Sequence, residues 1–410
     1  MEQFIIVAAS FGVIPLLNKT KISLGVKILI TVLLISVLNG LTPDIIFSNF
    51  LRIFKNRAST EVILIVGIVG IINAVMSKYG LLEKIVSDLS AIIKNTRILF
   101  ILMPSLVGLL TIPGGAIMSA PFVMSLGEQT NMSKPRRAAV NLIYRHMSSF
   151  IMPYAGGNLL LQAFFPEISI YTFIGVNSIF LLATWTFSYF LYLRDIPVEK
   201  NAAAVPREEL SAKIKSLAIN LSPIYIGIVL NIISGVRFSV CLTASIVILY
   251  FLGSKKGFAV LLLKSIDTKL ILTMIAIFFV QETIFSLDGL IGFFSDMFHA
   301  GLYSLFAILF ASFFFGTVTG LIIVPLGVVL PLIASLGLNA NEIPPYVYFV
   351  FCSAYLGYFF SPLHMCQILT NNYVGVKNVE LWKEYKYLVP FIFVFLWVSF
   401  FVLQFVFAYT

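Results

Sequence analysis

Hydrophobic and polar positions alternate along this chain in long blocks. Apolar runs recur near 3–17, 22–40, 61–77, 138–165, 170–193, 216–234, 238–253, 270–287, 345–370 and 389–408. Most are long enough to cross a hydrocarbon layer as a helix. None shows the strict alternation of a transmembrane barrel strand. Two further blocks, 98–126 and 301–336, each consist of two apolar arms joined at a small, polar kink: TIPGG (111–115) and GTVTG (316–320). The pattern predicts an all-α polytopic membrane protein of about ten transmembrane helices plus two re-entrant hairpins. Each hairpin block is also compatible with two full spans, and either choice returns the chain to the same side.

Charge sets the expected orientation. The most polar segment is 194–215, RDIPVEKNAAAVPREELSAKIK, with five basic residues. Placed in the cytoplasm, it brings 18–21, 78–97, 127–137, 254–269 and 371–388 to the same side, and these hold most of the lysines and arginines. The opposite segments 165–170, 288–300 and 337–344 contain none. This obeys the positive-inside rule and puts both termini outside, in the inner (cytoplasmic) membrane of a cell. The exceptions are Arg237 and the trio Arg52, Lys55 and Arg57, which follow an amphipathic stretch suited to the interface. The chain start, MEQFIIVAASFGVIPLLNKTK, has its positive charges after the apolar run and reads as a first span rather than a cleavable signal.

The two halves, 1–193 and 216–410, then read alike: three spans, a hairpin, a broken span, a final span. Five crossings is an odd number, so the second copy is expected upside down, its hairpin near 301–336 opening outward and that near 98–126 opening to the cytoplasm. Weak sequence echoes keep the same order in both halves. Pro121, Pro135, Pro153 and Leu160 correspond to Pro331, Pro345, Pro362 and Leu369, and Asn73 to Glu282. Inverted repeats with interrupted helices are the pattern of secondary transporters, whose backbone can break only where it lines a cavity or is satisfied by protein.

The broken spans carry most of the candidate chemistry. In NLIYRHMSSFIMPYAGGNLLLQ, helical spacing puts Asn141, Arg145 and Ser149 on one face leading to Pro153, and the break is expected at Tyr154–Asn158, including Gly156 and Gly157. In FFSPLHMCQILTNNY the break holds Ser361, Pro362, His364, Cys366 and Gln367, with Gln367 aligned to Asn158. Arg145, Ser149, Gly156, Gly157, Asn158, Ser361, His364 and Gln367 are the expected solute-binding residues. Arg145 reads as an anion clamp, or as a snorkelling cation. His364 reads as a substrate or proton-relay group, or as a cap on freed carbonyls. His146 is read as facing elsewhere.

Glu282 is the outstanding intramembrane charge, read as a coupling or gating group, or as half of a structural pair with Arg145 or an amide. Thr111, Gly114, Thr317, Thr319 and Asn73 complete the expected ion-coupling set, with Na+ or H+ as the ion.

The stretch Ser361-Pro362-x-His364-x-Cys366-x-x-Leu369-Thr370-x-x-Tyr373 resembles the signature of the membrane family known as domain of unknown function 401. Pro113-Gly114-Gly115-Ala116-x-x-Ser119-Ala120-Pro121 resembles that family's other motif, and the similarity covers nearly the whole chain. The family is grouped with the ion transporter superfamily. That resemblance implies two inverted halves with re-entrant hairpins, elevator motion, a homodimer, and organic anions or ions as cargo. The Ser-Asn-Thr hairpin signature of dicarboxylate carriers is absent, so the resemblance names no substrate.

Composition narrows the rest. The chain is 60% hydrophobic and 11% charged, with mean hydropathy +1.01. Its net charge of +9 is carried by loops that set topology, so no nucleic-acid partner is expected, only a small solute and the lipid bilayer. Cys241, Cys352 and Cys366 lie in apolar runs and form no CxxC pair. His146, His299 and His364 are scattered in sequence, so spacing supports neither a metal site nor another cofactor. With no nucleophile–base motif, HExxH or paired acids, an enzyme is not expected. The primary reading is a Na+- or H+-coupled carrier of a small anionic, carboxylate-like solute. The alternative is a cation/proton antiporter titrating Glu282 and His364.

Overall fold

The computed structural model describes residues 2–17, 20–109, 116–198, 206–298 and 302–409. Among them regular structure is helical throughout, with no strand. That is the outcome expected where apolar surroundings force each segment to satisfy its own backbone. The first half contains α1 (Glu2–Phe11), α2 (Val13–Leu17), α3 (Leu24–Leu38), α4 (Pro43–Lys55), α5 (Arg57–Lys78), α6 (Leu81–Ile92), α7 (Thr96–Leu109), α8 (Ala116–Gln129), α9 (Lys134–His146), α10 (Gly156–Phe164) and α11 (Ile170–Tyr192). The second contains α12 (Arg207–Ser234), α13 (Phe238–Leu252), α14 (Phe258–Lys264), α15 (Thr268–Phe285), α16 (Asp288–Phe298), α17 (Leu302–Thr319), α18 (Ile323–Ala334), α19 (Ile343–Phe359), α20 (Met365–Val374), α21 (Asn378–Glu384) and α22 (Leu388–Ala408).

Five described helices are long and apolar enough to cross a membrane: α5, α11, α12, α15 and α22. The expected first span, 3–17, is divided by Gly12 into α1 and α2. The expected polar linker is shorter than its composition implies, because α12 begins at Arg207 and Lys213 pairs with buried Asp88 at 3.4 Å.

From α4 and from α14 onward the helices follow a similar order, except that α21 has no counterpart in the first half. A short helix (α4, α14) precedes a longer one (α5, α15), then another short one (α6, α16), two arms (α7–α8, α17–α18) and a split helix (α9/α10, α19/α20). Even the caps correspond. Asn56 Oδ1 accepts from the Ala58 and Ser59 amides to start α5, and Asp267 Oδ1 accepts from Lys269 and Leu270 to start α15. Each such cap contributes about 1 kcal/mol.

The second pair of arms turns later than the sequence implied. Gly316, Thr317, Val318 and Thr319 are all helical, and the turn falls at Gly320, whose φ is +68°. A side chain there would be strained and would also press 2.7 Å from the Leu363 carbonyl. The turn of α17–α18 is thereby seated directly on the break between α19 and α20.

α17 and α19 pack closely, and Gly357 sets their separation. A Cβ at this position would lie 2.2 Å from the Phe313 carbonyl oxygen, and backbone cannot yield as a side-chain tip can. Gly357→Ala is therefore expected to destabilise the protein by at least 1–3 kcal/mol, roughly the usual cost of overpacking. Thermal unfolding in detergent measures this, and an unchanged melting temperature would show that the helices separate freely.

Candidate functional site

The first split helix ends its α-helical part at His146, continues as a 3₁₀ turn over Met147–Phe150, and restarts at Gly156. Pro153 stands in the gap, where its missing N–H cannot continue a helix. The second stops at Phe359 and restarts at Met365, with Pro362 in its gap. Both gaps leave carbonyls and amides that need partners inside an apolar protein.

Asn158 satisfies the first gap. It is fully buried, and its Nδ2 donates to the carbonyls of Ser149 (3.1 Å), Phe150 (3.4 Å) and Met152 (2.9 Å). Its Oδ1 has no protein partner. Ser361 bridges the second gap: its hydroxyl donates to the Thr317 carbonyl at 2.6 Å and accepts from the Leu363 amide at 3.0 Å. Gln367 is equally buried, yet neither end of its amide has a protein partner. The two aligned amides therefore differ in use: one is a strut, the other is uncommitted. They are also carried on half-helices with different neighbours, since α10 packs on α5 and α18 while α20 packs on α8 and α9.

α9 and α20 run antiparallel, joined by Asn141 Nδ2 donating to Thr370 Oγ1 at 3.1 Å and by a contact at the breaks. There, His146 Nε2 and His364 Nε2 lie 3.0 Å apart. His146 Nδ1 faces the Leu142 carbonyl at 2.7 Å, and His364 Nδ1 faces the Phe359 carbonyl at 3.2 Å. The Tyr358 ring packs over His364 with centroids 4.3 Å apart. Arg145, also buried, lies beside the Cys366 side chain. All of these groups are at most 6% exposed except Tyr358 and Cys366, which are half-buried.

The arrangement corrects the sequence reading of His146, which joins the cluster instead of facing away. Sequence spacing is blind to this contact because the two histidines are 218 positions apart. The shared face of Asn141, Arg145 and Ser149 also changes. The switch to 3₁₀ geometry after His146 rotates Ser149 off the α-helical register, and its hydroxyl donates to the His146 carbonyl. Gly156 and Gly157 serve packing: a Cβ on Gly157 would meet Phe351 at 2.8 Å, and one on Gly156 would meet Ile323 at 3.1 Å.

A family model described as "Protein of unknown function (DUF401)" matches residues 5–405. The chain belongs to this family. No curated protein matches the sequence.

The other expected residues are placed as follows. Thr111 and Gly114 lie outside the described residues. Thr317 and Thr319 donate their hydroxyls to the carbonyls of Phe313 (2.9 Å) and Phe315 (2.6 Å) within α17. Asn73 is buried on α5. Glu282 is buried near the end of α15, and its charged neighbour is Arg52, not Arg145. α4 packs there: Asn49 and Ser286 exchange side-chain hydrogen bonds of 2.9 and 3.1 Å. α4 turns Asn49, Phe50 and Ile53 inward and leaves Arg52 and Lys55 exposed. Sequence reasoning had the amphipathic stretch but no signal for its partner. A cavity of about 740 Å³ lies elsewhere, between Asn339–Tyr346 and Gln404–Ala408, with none of the break residues in its wall.

Proposed function

We propose that this protein is a secondary active transporter of a small, carboxylate-like anion, coupled to Na+ or H+ and working by alternating access in the cytoplasmic membrane. The matching helix order supports an inverted repeat, and the charge distribution supports placing 194–215 in the cytoplasm. α7–α8 and α17–α18 then act as the two hairpins, each packed against the split helix that follows it. Glu282, faced by Arg52, is the coupling group in this reading.

The observation that carries the proposal is Arg145. It is buried where the breaks meet, on two split spans (134–164 and 343–374) that contain no aspartate or glutamate. An arginine in mid-membrane costs about 2.5–3.5 kcal/mol even on the mildest scale. An anion forms charge-assisted, bidentate bonds with a guanidinium. The same lack of acids in the split spans argues against a cation as the main cargo there. Gln367 supplies an amide free to orient the solute. The groups are closed off from solvent, as an occluded state requires.

Arg145→Gln is expected to abolish uptake of the transported anion in proteoliposomes offered labelled gluconate, citrate, succinate and acetate. Arg145→Lys keeps the charge but loses the planar fork, and is expected to reduce uptake about tenfold or more. Full uptake by Arg145→Gln would remove Arg145 from the binding site and the proposal with it.

A further inference from the structure

The histidine contact is short of one cation. Backbone carbonyls only accept hydrogen bonds, so Nδ1 of His146 facing Leu142 and Nδ1 of His364 facing Phe359 must both carry protons. A neutral imidazole has one N–H, so both Nε2 atoms are left as lone pairs. Those lone pairs meet 3.0 Å apart, with the rings buried. A third donor stands beside them: Cys366 Sγ and the two histidine nitrogens all lie within 4.8 Å of one another. Arg145 lies beside this sulfur.

We propose that His146, His364 and Cys366 form a binding site for a borderline-to-soft transition-metal ion, of which Zn2+ is the reference case. The donor set is two imidazoles and one thiolate, the chemistry such ions prefer. Two Zn–N bonds of about 2.0–2.1 Å bridge the present nitrogen gap at close to a right angle. Widening the gap by a few tenths of an ångström reaches tetrahedral spacing. The Nδ1–H groups already donate to backbone carbonyls, the outer-sphere support that fixes the tautomer of a metal-bound histidine. Three protein ligands leave a fourth position open. The bound ion with one thiolate retains a positive charge, and Arg145 adds another. The fourth ligand is therefore anionic: chloride, hydroxide or a carboxylate. The site stands whether or not the transport reading holds.

The test uses the full chain in detergent, stripped with EDTA and freed of any purification tag, and titrated with Co2+ as a spectroscopic stand-in for Zn2+. The expected result is one Co2+ per chain with a thiolate-to-cobalt charge-transfer band that Zn2+ bleaches. The double variant Cys241→Ser/Cys352→Ser keeps the band, and Cys366→Ser loses it while eluting as the folded protein. His146→Gln and His364→Gln each weaken Co2+ binding at least about tenfold. Wild-type protein without the band, or a band that survives Cys366→Ser, overturns the site. Anion-dependent stabilisation of the metal-free protein is a separate readout and bears on transport alone.

Discussion

Gln367→Leu is expected to make the protein more stable and to stop it transporting. The two effects have one cause. Gln367 is fully buried, and both polar ends of its amide lack a protein partner. A buried polar group left unsatisfied costs about 1–3 kcal/mol, while an apolar group of similar shape avoids that cost. Leucine should therefore raise unfolding stability by about the same amount. A fold does not keep such a liability for packing's sake. If the amide's partner is the solute, transport is lost with it. Thermal unfolding and uptake, measured on the same preparation, give the answer. A destabilised but active variant would mean that the amide is structural and that the solute is held elsewhere.

Asn158→Ala is expected to do the opposite, though its amide aligns with Gln367 in the repeat. Its Nδ2 holds the carbonyls of Ser149, Phe150 and Met152 across the first break. Truncation strands all three in an apolar interior, where the first alone costs about 1–3 kcal/mol. The expected destabilisation is above about 3 kcal/mol, large for a single substitution. Asn158→Asp is the sharper control. It preserves shape but exchanges the donor for an acceptor facing carbonyls, and is expected to be as damaging as alanine. Melting temperatures and the yield of monodisperse protein measure both. A stable Asn158→Asp would show that the three carbonyls find other partners.

The contrast between these two amides marks what the sequence could and could not reveal. Prolines, glycines and interrupted apolar runs placed both breaks within a few residues, because local backbone rules govern them. The all-helical, apolar character of the chain was legible for the same reason. Contacts between distant segments were not. Nothing in the spacing of His146 and His364 foretells their 3.0 Å approach, and only α9 packed on α20 creates it. Likewise, the nearness of Arg52 to Glu282 depends on where α4 docks, not on any motif. The GTVTG stretch shows local reasoning overreaching. Its small and polar residues suggested a kink across 316–320, but threonine hydroxyls satisfied within α17 keep the helix intact up to Gly320.

The most direct test of the account is the melting temperature of purified wild-type and Arg145→Gln protein against a panel of small organic anions, with and without Na+ and at several pH values. A ligand that binds only the folded state stabilises it by about 2.7 kcal/mol at a hundredfold excess over its dissociation constant. The account predicts that at least one carboxylate raises the wild-type melting temperature, that Na+ or lower pH enlarges the shift, and that Arg145→Gln abolishes it. Stabilisation by Na+ or pH alone, with no anion effect across the panel, would contradict an anion carrier and point instead to cation/proton exchange.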